Sequence, residues 1–328
     1  MGYSERIKGK FSRELNNMAK KVLITGVNGF LGSSLSKYVK AKQPSVKVFG
    51  VDLLRAKLSS RTVTCDLADQ KKVSKLISRI RPDHIFHLVG GRIDNEPDFL
   101  KANIMTTRSL LEAVSGIRGY RPRIILPGSA AEYGKTVPSG KPVRETAAAR
   151  PESFYGFVKN AQTNLGLMYA RAGLDVVIAR IFNVCGFGMP PKLSLGRFSQ
   201  QIAMVKKSKK KAVLRTGYLG MRRDYLDVED VSAALMAIAR RGKKGEIYNI
   251  CSGRAYLMRD LLGKLIDYAD VRGILVKEDK KAASSIHISV GSNAKLKKAT
   301  GWTSNVDISQ SLENTLNYYR EFVLKGKH

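Results

Sequence analysis

Near the N-terminus the chain runs Val22-Leu23-Ile24, then Thr25-Gly26-Val27-Asn28-Gly29-Phe30-Leu31-Gly32, then a segment from Ser33 to Lys42 with helical spacing of its apolar residues. Few backbone paths satisfy that order. The apolar run is a short buried strand, the glycines supply a turn whose dihedrals a Cβ would resist, and the helix begins directly after them. A turn of this kind lets a diphosphate come close to the backbone, where free N–H groups and the helix dipole favour negative charge. Gly26, Gly29 and Gly32 follow a Gly-x-x-Gly-x-x-Gly spacing, one residue longer in its first half than the simplest dinucleotide fingerprint.

Val46 to Val51 forms a second strand that ends in Asp52, twenty residues beyond Gly32. An acidic side chain there can accept both ribose hydroxyls of an adenosine and would repel a 2'-phosphate, which favours NAD(H). Arg55 and Lys57, just behind it, leave NADP(H) open. Cys65-Asp66-Leu67 precedes a helical segment from Gln70 to Ile80, so Asp66 is either a polar group for adenine or a helix cap. His84 to Val89 is a third strand; Gly90-Gly91 after it gives a ligand room, and His87 reads as core. A long helix from about Pro97 to Val114 contains Asn103, and the strand Ile124-Ile125-Leu126 follows. Strands alternating with helices predict an α/β fold with a parallel sheet covered on both faces. Ligands on such sheets sit beyond the carboxyl ends of the strands, where Gly128-Ser129 falls.

Tyr155 and Lys159 lie four residues apart in a segment whose Phe154, Val158, Ala161, Leu165 and Met168 form a helical apolar stripe. The spacing puts both side chains on one face. A free phenol titrates near ~10, too high for acid–base work at neutral pH. An ammonium about 4 Å away at an effective dielectric of about 20 contributes about 4 kcal/mol, roughly three pKa units before desolvation. Ser129 is placed to share a substrate oxygen with Tyr155.

The 328 residues are 43% hydrophobic and 26% charged, the balance of a globular chain with a sizeable core. Without an apolar run of roughly 20 residues or an N-terminal secretory core, the chain reads as soluble and cytoplasmic, with no membrane partner. Cys65, Cys185 and Cys251 are far apart and lack metal-ligand spacing, so neither a disulfide framework nor a metal site is expected. With 58 Lys and Arg against 27 Asp and Glu, the net charge of +31 suits an anionic small substrate and leaves nucleic acid open as a partner, although no nucleic-acid motif accompanies it. The densest run, Lys206 to Lys211, reads as a solvated helix end or loop. Residues 1–20 are a basic, loosely ordered extension ahead of the first strand. In the C-terminal half, helices are expected over Gly196–Val205, Val228–Arg240, Leu257–Tyr268 and Ile308–Phe322, with strands at Ala212–Arg215 and Glu246–Ile250.

Taken together, TGVNGFLG, Asp52, Asp66-Leu67, His87-Leu88-Val89, Ser129-Ala130-Ala131-Glu132-Tyr133-Gly134, Tyr155 with Lys159, Arg180-Ile181-Phe182-Asn183, the run Arg223 to Val231, Tyr248-Asn249-Ile250 and Gly301-Trp302 resemble the extended short-chain dehydrogenase/reductase family of nucleotide-sugar enzymes, from about Lys21 to Trp302. The resemblance implies a Rossmann-type doubly wound sheet over residues 21–180, and a smaller C-terminal α/β lobe over 181–328 from which some segments return to the sheet. It implies a nicotinamide cofactor held by Gly26, Asn28, Gly29, Phe30, Leu31, Gly32, Asp52, Leu53, Asp66, Leu67, Leu88, Val89, Gly90, Asn103, Tyr155, Lys159 and Phe182. It further implies Tyr155 as acid–base, Lys159 as its electrostatic partner and Ser129 as a hydrogen-bond donor. Ser129, Glu132, Asn183, Arg197, Arg215 and Arg223 would meet a nucleoside-diphosphate sugar, and the long helix near Asn103 and the Tyr155 helix would form a homodimer.

Sugar 4,6-dehydratases of this family carry acidic residues after the catalytic Ser or Thr, where this chain has Ala130 and Ala131. A 4-ketoreductase or a 4-epimerase remains. The segments Pro127-Gly128-Ser129, Pro151 to Gly156, Ala179 to Asn183 and Asn293 to Trp302 incline the resemblance to the reductases, with GDP-4-keto-6-deoxymannose the favoured substrate. A purely nucleic-acid-binding member of the fold is the remaining alternative.

Overall fold

The computed structural model describes residues 21–53, 61–90, 95–134, 141–208, 212–271, 273–282 and 286–324. The N-terminal extension, Arg55, Lys57, Gly91 and Lys209 to Lys211 lie outside the described residues.

A seven-stranded sheet organises the molecule. Its strands are β1 (Lys21–Thr25), β2 (Lys47–Asp52), β3 (Thr62–Thr64), β4 (His84–His87), β5 (Arg123–Ser129), β6 (Asp175–Ile181) and, after a long excursion, β11 (Ile247–Ile250). Their spatial order is β11-β6-β5-β4-β1-β2-β3, every pair parallel. Parallel sheets are covered on both faces, which is why β1 reads as an unbroken apolar run rather than an alternating one. Alternation reappears in the packing. Val22 and Ile24 join Leu35, Phe86, Val177 and Leu235 under α1 (Phe30–Lys42) and α7 (Val228–Arg241). Leu23 and Ile85 join Val73, Ile77, Leu110 and Ile124 on the other face, under α2 (Gln70–Ile80) and α4 (Thr106–Ser115). Each such fully buried aliphatic side chain contributes about 1.5–3 kcal/mol.

The helix expected from Pro97 to Val114 carries an irregularity that the sequence does not announce. It runs as α3 (Glu96–Leu100), a π-helical turn (Lys101–Met105) and then α4. Thr106 and Thr107 turn their hydroxyls back onto the carbonyls of Ala102 and Asn103, each at 2.6 Å, and so compete with the regular ladder there. The helix α5 (Phe154–Arg171), capped by the Ser153 hydroxyl on the Gly156 N–H at 3.1 Å, packs along β5 and β6.

Beyond β6 the chain builds a second layer. The short strand β7 (Asn183–Cys185) leads to α6 (Ser194–Ser208), β8 (Ala212–Thr216), β9 (Arg222–Arg223) and β10 (Tyr225–Asp227). After β11 come β12 (Tyr256–Leu257), α8 (Met258–Ala269), β13 (Ile274–Glu278), β14 (Ile288–Ser289), α9 (Ala294–Thr300) and α10 (Ile308–Leu324). Leu195, Phe198, Ile202, Leu214, Leu261 and Leu312 form its separate core. No helix among the described residues is long and apolar enough to cross a membrane, and no cluster of His, Cys, Asp or Glu there could hold a metal ion.

Candidate active site

The glycine turn joins β1 to α1 at the carboxyl edge of the sheet. Gly26 has φ +67°, and a Cβ there would lie 2.9 Å from the Leu88 carbonyl oxygen. At Gly32 a Cβ would stand 2.1 Å from the Gly26 carbonyl oxygen, so the turn closes on itself only with glycine in that place. Asn28 and Gly29 are exposed at its tip; Phe30 packs towards the C-terminal core and Leu31 towards the sheet. Asp52, at the end of β2, accepts the Asn28 N–H at 3.0 Å and the Leu53 N–H at 2.9 Å, which fixes its carboxylate beside the turn. Leu53 is exposed next to it. Asp66 is not the cap of α2: Asp69 holds that place, accepting from the Lys72 N–H at 3.1 Å. Instead Asp66 accepts the Ala68 N–H and faces Lys101 at 3.6 Å.

Leu88, Val89 and Gly90 leave the end of β4 half-buried. Gly90, at φ +109°, lies directly over Asn103, whose Oδ1 a Cβ would approach to 2.3 Å. Asn103 is fully buried; its Nδ2 donates to the Phe99 carbonyl at 2.8 Å, and its Oδ1 has no partner among the described residues. The self-closing glycine turn and a fixed carboxylate one strand away together fit a dinucleotide. Leu67 and Phe182 differ from expectation. Both are covered by protein, Leu67 in the core beneath α2 and Phe182 beside the Tyr133 ring, so a cofactor would meet little of them beyond backbone.

The catalytic candidates gather where β5 and α5 meet. Ser129 ends β5, and its Oγ accepts the Ala131 N–H at 3.2 Å. A Cβ on Gly156 would come within 2.5 Å of the Ala131 carbonyl oxygen, so α5 starts hard against the turn that follows Ser129. That approach brings Tyr155, half-buried and 5.6 Å ring to ring from Phe99, to the same edge as Ser129. Lys159, one helical turn on, is buried and donates to Gln162 Oε1. Burial pushes its ammonium down to about 8, with Glu132 opposing. His87 is core: its Nε2–H donates to Thr106, whose own hydroxyl is spent on Ala102, and Nδ1 accepts from Thr25 at 3.0 Å. Burial and then Lys159 hold it neutral, down to about 3.

Glu132, expected among the substrate contacts, is fully enclosed by protein and out of a substrate's reach. Its Oε1 accepts the Ser129 N–H at 2.6 Å, and its Oε2 accepts from Arg180 Nη2 at 2.6 Å and Nε at 3.1 Å. The carboxylate braces the serine from behind.

A cleft of about 170 Å³ opens between β7, α6 and the segment after β8, and Asn183, Arg197 and Arg223 all line it. Arg223 is held by the Arg222 and His287 carbonyls at 2.9 and 3.2 Å, and burial lowers its pKa. Arg215 is not brought there. It stands on the exposed face of β8, whereas its neighbour Thr216 lines the cleft with Lys192, Tyr218 and Met258. Strand parity decides which of Arg215 and Thr216 faces inward, and neither residue type betrays it. Asp224 gives no signal of its role in the sequence: it gathers the N–H groups of Ser252, Gly253 and Gly291 and the Ser252 hydroxyl at 2.7–3.1 Å, tying the cleft strand to two loops.

A family model described as "NAD dependent epimerase/dehydratase family" matches residues 22–251. Among curated proteins, GDP-6-deoxy-D-mannose reductase of Pseudomonas aeruginosa is 28% identical over 307 residues, covering 92% of this chain and 97% of that protein. The solved structure of RMD from Pseudomonas aeruginosa complexed with NADPH superposes with a TM-score of 0.80 at 28% identity, over 92% of this chain and 99% of that one. The Thermus thermophilus UDP-glucose 4-epimerase complex with NAD shares the fold, with a TM-score of 0.79 at 24% identity over 92% of this chain and 99% of that one. With its glycine turn, its Ser129, Tyr155 and Lys159 and this match across most of its length, the chain belongs to the NAD dependent epimerase/dehydratase family, the extended short-chain dehydrogenase/reductases.

Proposed function

We propose that the protein is an oxidoreductase that reduces the C4 ketone of a nucleoside-diphosphate 4-keto-6-deoxyhexose, GDP-4-keto-6-deoxymannose being the favoured substrate. One observation supports the reading: the close contact of Gly156 with the Ala131 carbonyl, which brings the start of α5, with Tyr155, against the turn that follows Ser129. The dinucleotide would be held by the turn from Gly26 to Gly32, by Asp52 and by the segment from Leu88 to Gly90, and when bound its nicotinamide supplies the hydride. Tyr155 gives its phenolic proton to the sugar oxygen as that oxygen gains charge. Lys159, whose charge is present below about pH 8, stabilises the phenolate left behind from its helical spacing. The Ser129 Oγ already accepts the Ala131 N–H, so its own proton is free to donate to the same oxygen. Asn183, Arg197 and Arg223 take the diphosphate and nucleoside in the cleft.

The site follows a division in which residues 21–180 mainly hold the cofactor and the later ones mainly the sugar. Phe157 and Met168 on α5 and Met105 on the π-turn are 58, 50 and 46% exposed, an apolar face suited to pairing with a second copy. The reductase of Pseudomonas aeruginosa at 28% identity supports the choice of reaction.

Ala130 and Ala131 also suit a 4-epimerase, which would retain its cofactor. Purified protein is to be given NADH or NADPH with GDP-4-keto-6-deoxymannose while the reduced-nicotinamide absorbance is followed. Stoichiometric loss of the band is expected; an unchanged band with nicotinamide released on denaturation would identify the epimerase, and no nicotinamide at all would leave a binding protein.

A further inference from the structure

Lys159 and the π-turn near Asn103 are joined by a directional chain of hydrogen bonds. Lys159 Nζ donates to Gln162 Oε1; Gln162 Nε2 donates to Thr107 Oγ1 at 2.7 Å and to the Asn103 carbonyl at 3.3 Å; the Thr107 hydroxyl donates to the same carbonyl at 2.6 Å. The Asn103 carbonyl can only accept, so the Gln162 amide cannot flip. Its oxygen is therefore fixed towards the lysine whatever the lysine's charge. Gln162 is fully buried, and among the described residues it is the only hydrogen-bond partner of Lys159 Nζ.

Resting on the catalytic reading above, we propose that Gln162 is the positioning residue of this site: its amide, held by the π-turn, fixes the Lys159 ammonium and supplies a neutral acceptor where a carboxylate would cancel the charge that Tyr155 needs. The other titratable groups around Lys159 do not supply one. His87 on β4 is neutral, Glu132 is spent on Arg180 of β6, and Lys101 on the π-turn faces Asp66. Arg108 and Glu112 on α4 pair with each other at 2.7 Å. Arg123 of β5 and Asp175 of β6 likewise pair with each other at 2.9 Å, and Tyr155 shares the lysine's own helix.

The π-turn has a purpose in this arrangement. It brings the Thr107 hydroxyl and the Asn103 carbonyl together opposite α5, a pair of partners that matches one amide N–H₂ group.

The test titrates the Lys159 side chain by the NMR shift of its Cε carbon in lysine-labelled protein, assigned with Lys159→Met, in wild type, Gln162→Met, Gln162→Glu and Thr107→Val. Gln162→Met removes the acceptor at similar volume and is expected to lower the lysine pKa by about one unit. Gln162→Glu is expected to raise it by more than one unit, and Thr107→Val to give a smaller drop. In the alcohol-oxidising direction the acidic limb of the pH–rate profile should move upward in Gln162→Glu, where the carboxylate neutralises the ammonium. A lysine titration unmoved in both Gln162 variants would overturn the proposal, as would a shifted limb with an unshifted lysine. The titration needs no substrate, so loss of the catalytic reading through absent turnover would be visible separately.

Discussion

Removing the Glu132 carboxylate tests the most concentrated electrostatic contact of the structure. Glu132 and Arg180 are 0 and 3% exposed, joined through two guanidinium nitrogens to one carboxylate oxygen, while the other oxygen holds the Ser129 N–H. A Cβ on Gly128 would stand 2.7 Å from that second oxygen, so the strand itself leaves room for it. Glu132→Ala strands a guanidinium in a dry interior, a change that costs about 3–5 kcal/mol, and leaves a buried N–H unpaired for about 1–3 more. The Tyr133 ring, 4.5 Å from the Arg180 guanidinium carbon, is in contact before and after the change and does not offset the loss. A net loss near 5 kcal/mol is a large share of the roughly 5–15 typical of a whole domain.

Urea unfolding at pH 8 reads the change conveniently, because the single tryptophan, Trp302, is buried in the same core as Ala179 and Ile181, the neighbours of Arg180 on β6. The companion is the double variant Glu132→Gln with Arg180→Met, which removes both charges and keeps an acceptor for Ser129. It should recover at least about 2 kcal/mol relative to Glu132→Ala, since an ion pair replaced whole costs far less than one broken. If Glu132→Ala loses under about 1 kcal/mol, or the double variant is no more stable than the single one, the pair is not the brace described here. The single variant should also lower kcat more than it raises KM, because the backbone that positions Ser129 is released.

Tyr155→Phe should lower turnover by about 10²–10⁴-fold while cofactor still quenches protein fluorescence; a near-normal rate would remove Tyr155 from the chemistry. Lys159→Met should raise the acidic limb of the pH–rate profile for alcohol oxidation and weaken cofactor binding, and an unmoved limb would contradict its electrostatic role. Asp52→Asn should shift the preference for NADH over NADPH by about tenfold towards NADPH, read as a ratio of kcat/KM values, because a ribose acceptor and a phosphate-repelling charge are lost together. His87 predicts acid lability: its folded pKa near 3 lies below the ordinary 6.5, so its contribution is present above pH 6.5 and lost as pH falls towards 3. That loss amounts to about 2 kcal/mol by pH 5 for His87 alone, and urea midpoints that stay flat from pH 7 to 5 would refute it.

Much of this site is legible in the sequence because its parts are local. The glycine turn, Asp52 at a strand end and the Tyr155–Lys159 spacing each lie within one or two consecutive elements, where residue type and period fix what faces what. The parts that are not legible depend on contacts between distant elements. Glu132 looks accessible because it is a carboxylate three residues from Ser129; its enclosure is set by Arg180, 48 residues on. Arg215 looks suited to a phosphate, but the parity of β8 turns Thr216 to the cleft in its place. Gln162 carries a faint signal, a polar residue three places from Lys159 on the buried side of its helix, and its meaning needs the π-turn across from it.

These long-range contacts share one consequence for the charge at the catalytic edge. The interior here holds an ammonium, a guanidinium and a carboxylate, and burial makes each costly unless it is matched. The carboxylate could have served either cation. By giving it to Arg180 through two nitrogens, the fold leaves Lys159 with an amide oxygen, which satisfies hydrogen bonding without cancelling charge. In the proposed reaction an ammonium paired with Glu132 would present Tyr155 with a near-neutral dipole, whereas an ammonium bonded to Gln162 would keep its positive charge. The same partition explains why Glu132 can sit beside Ser129 without acting as a base. Both its oxygens are filled, one by the Ser129 N–H and the other by Arg180, which compensates its negative charge. The short stretch Ser129 to Glu132 thus joins the buried Glu132–Arg180 pair to the serine of the proposed site, through the Ser129 N–H on Glu132 Oε1.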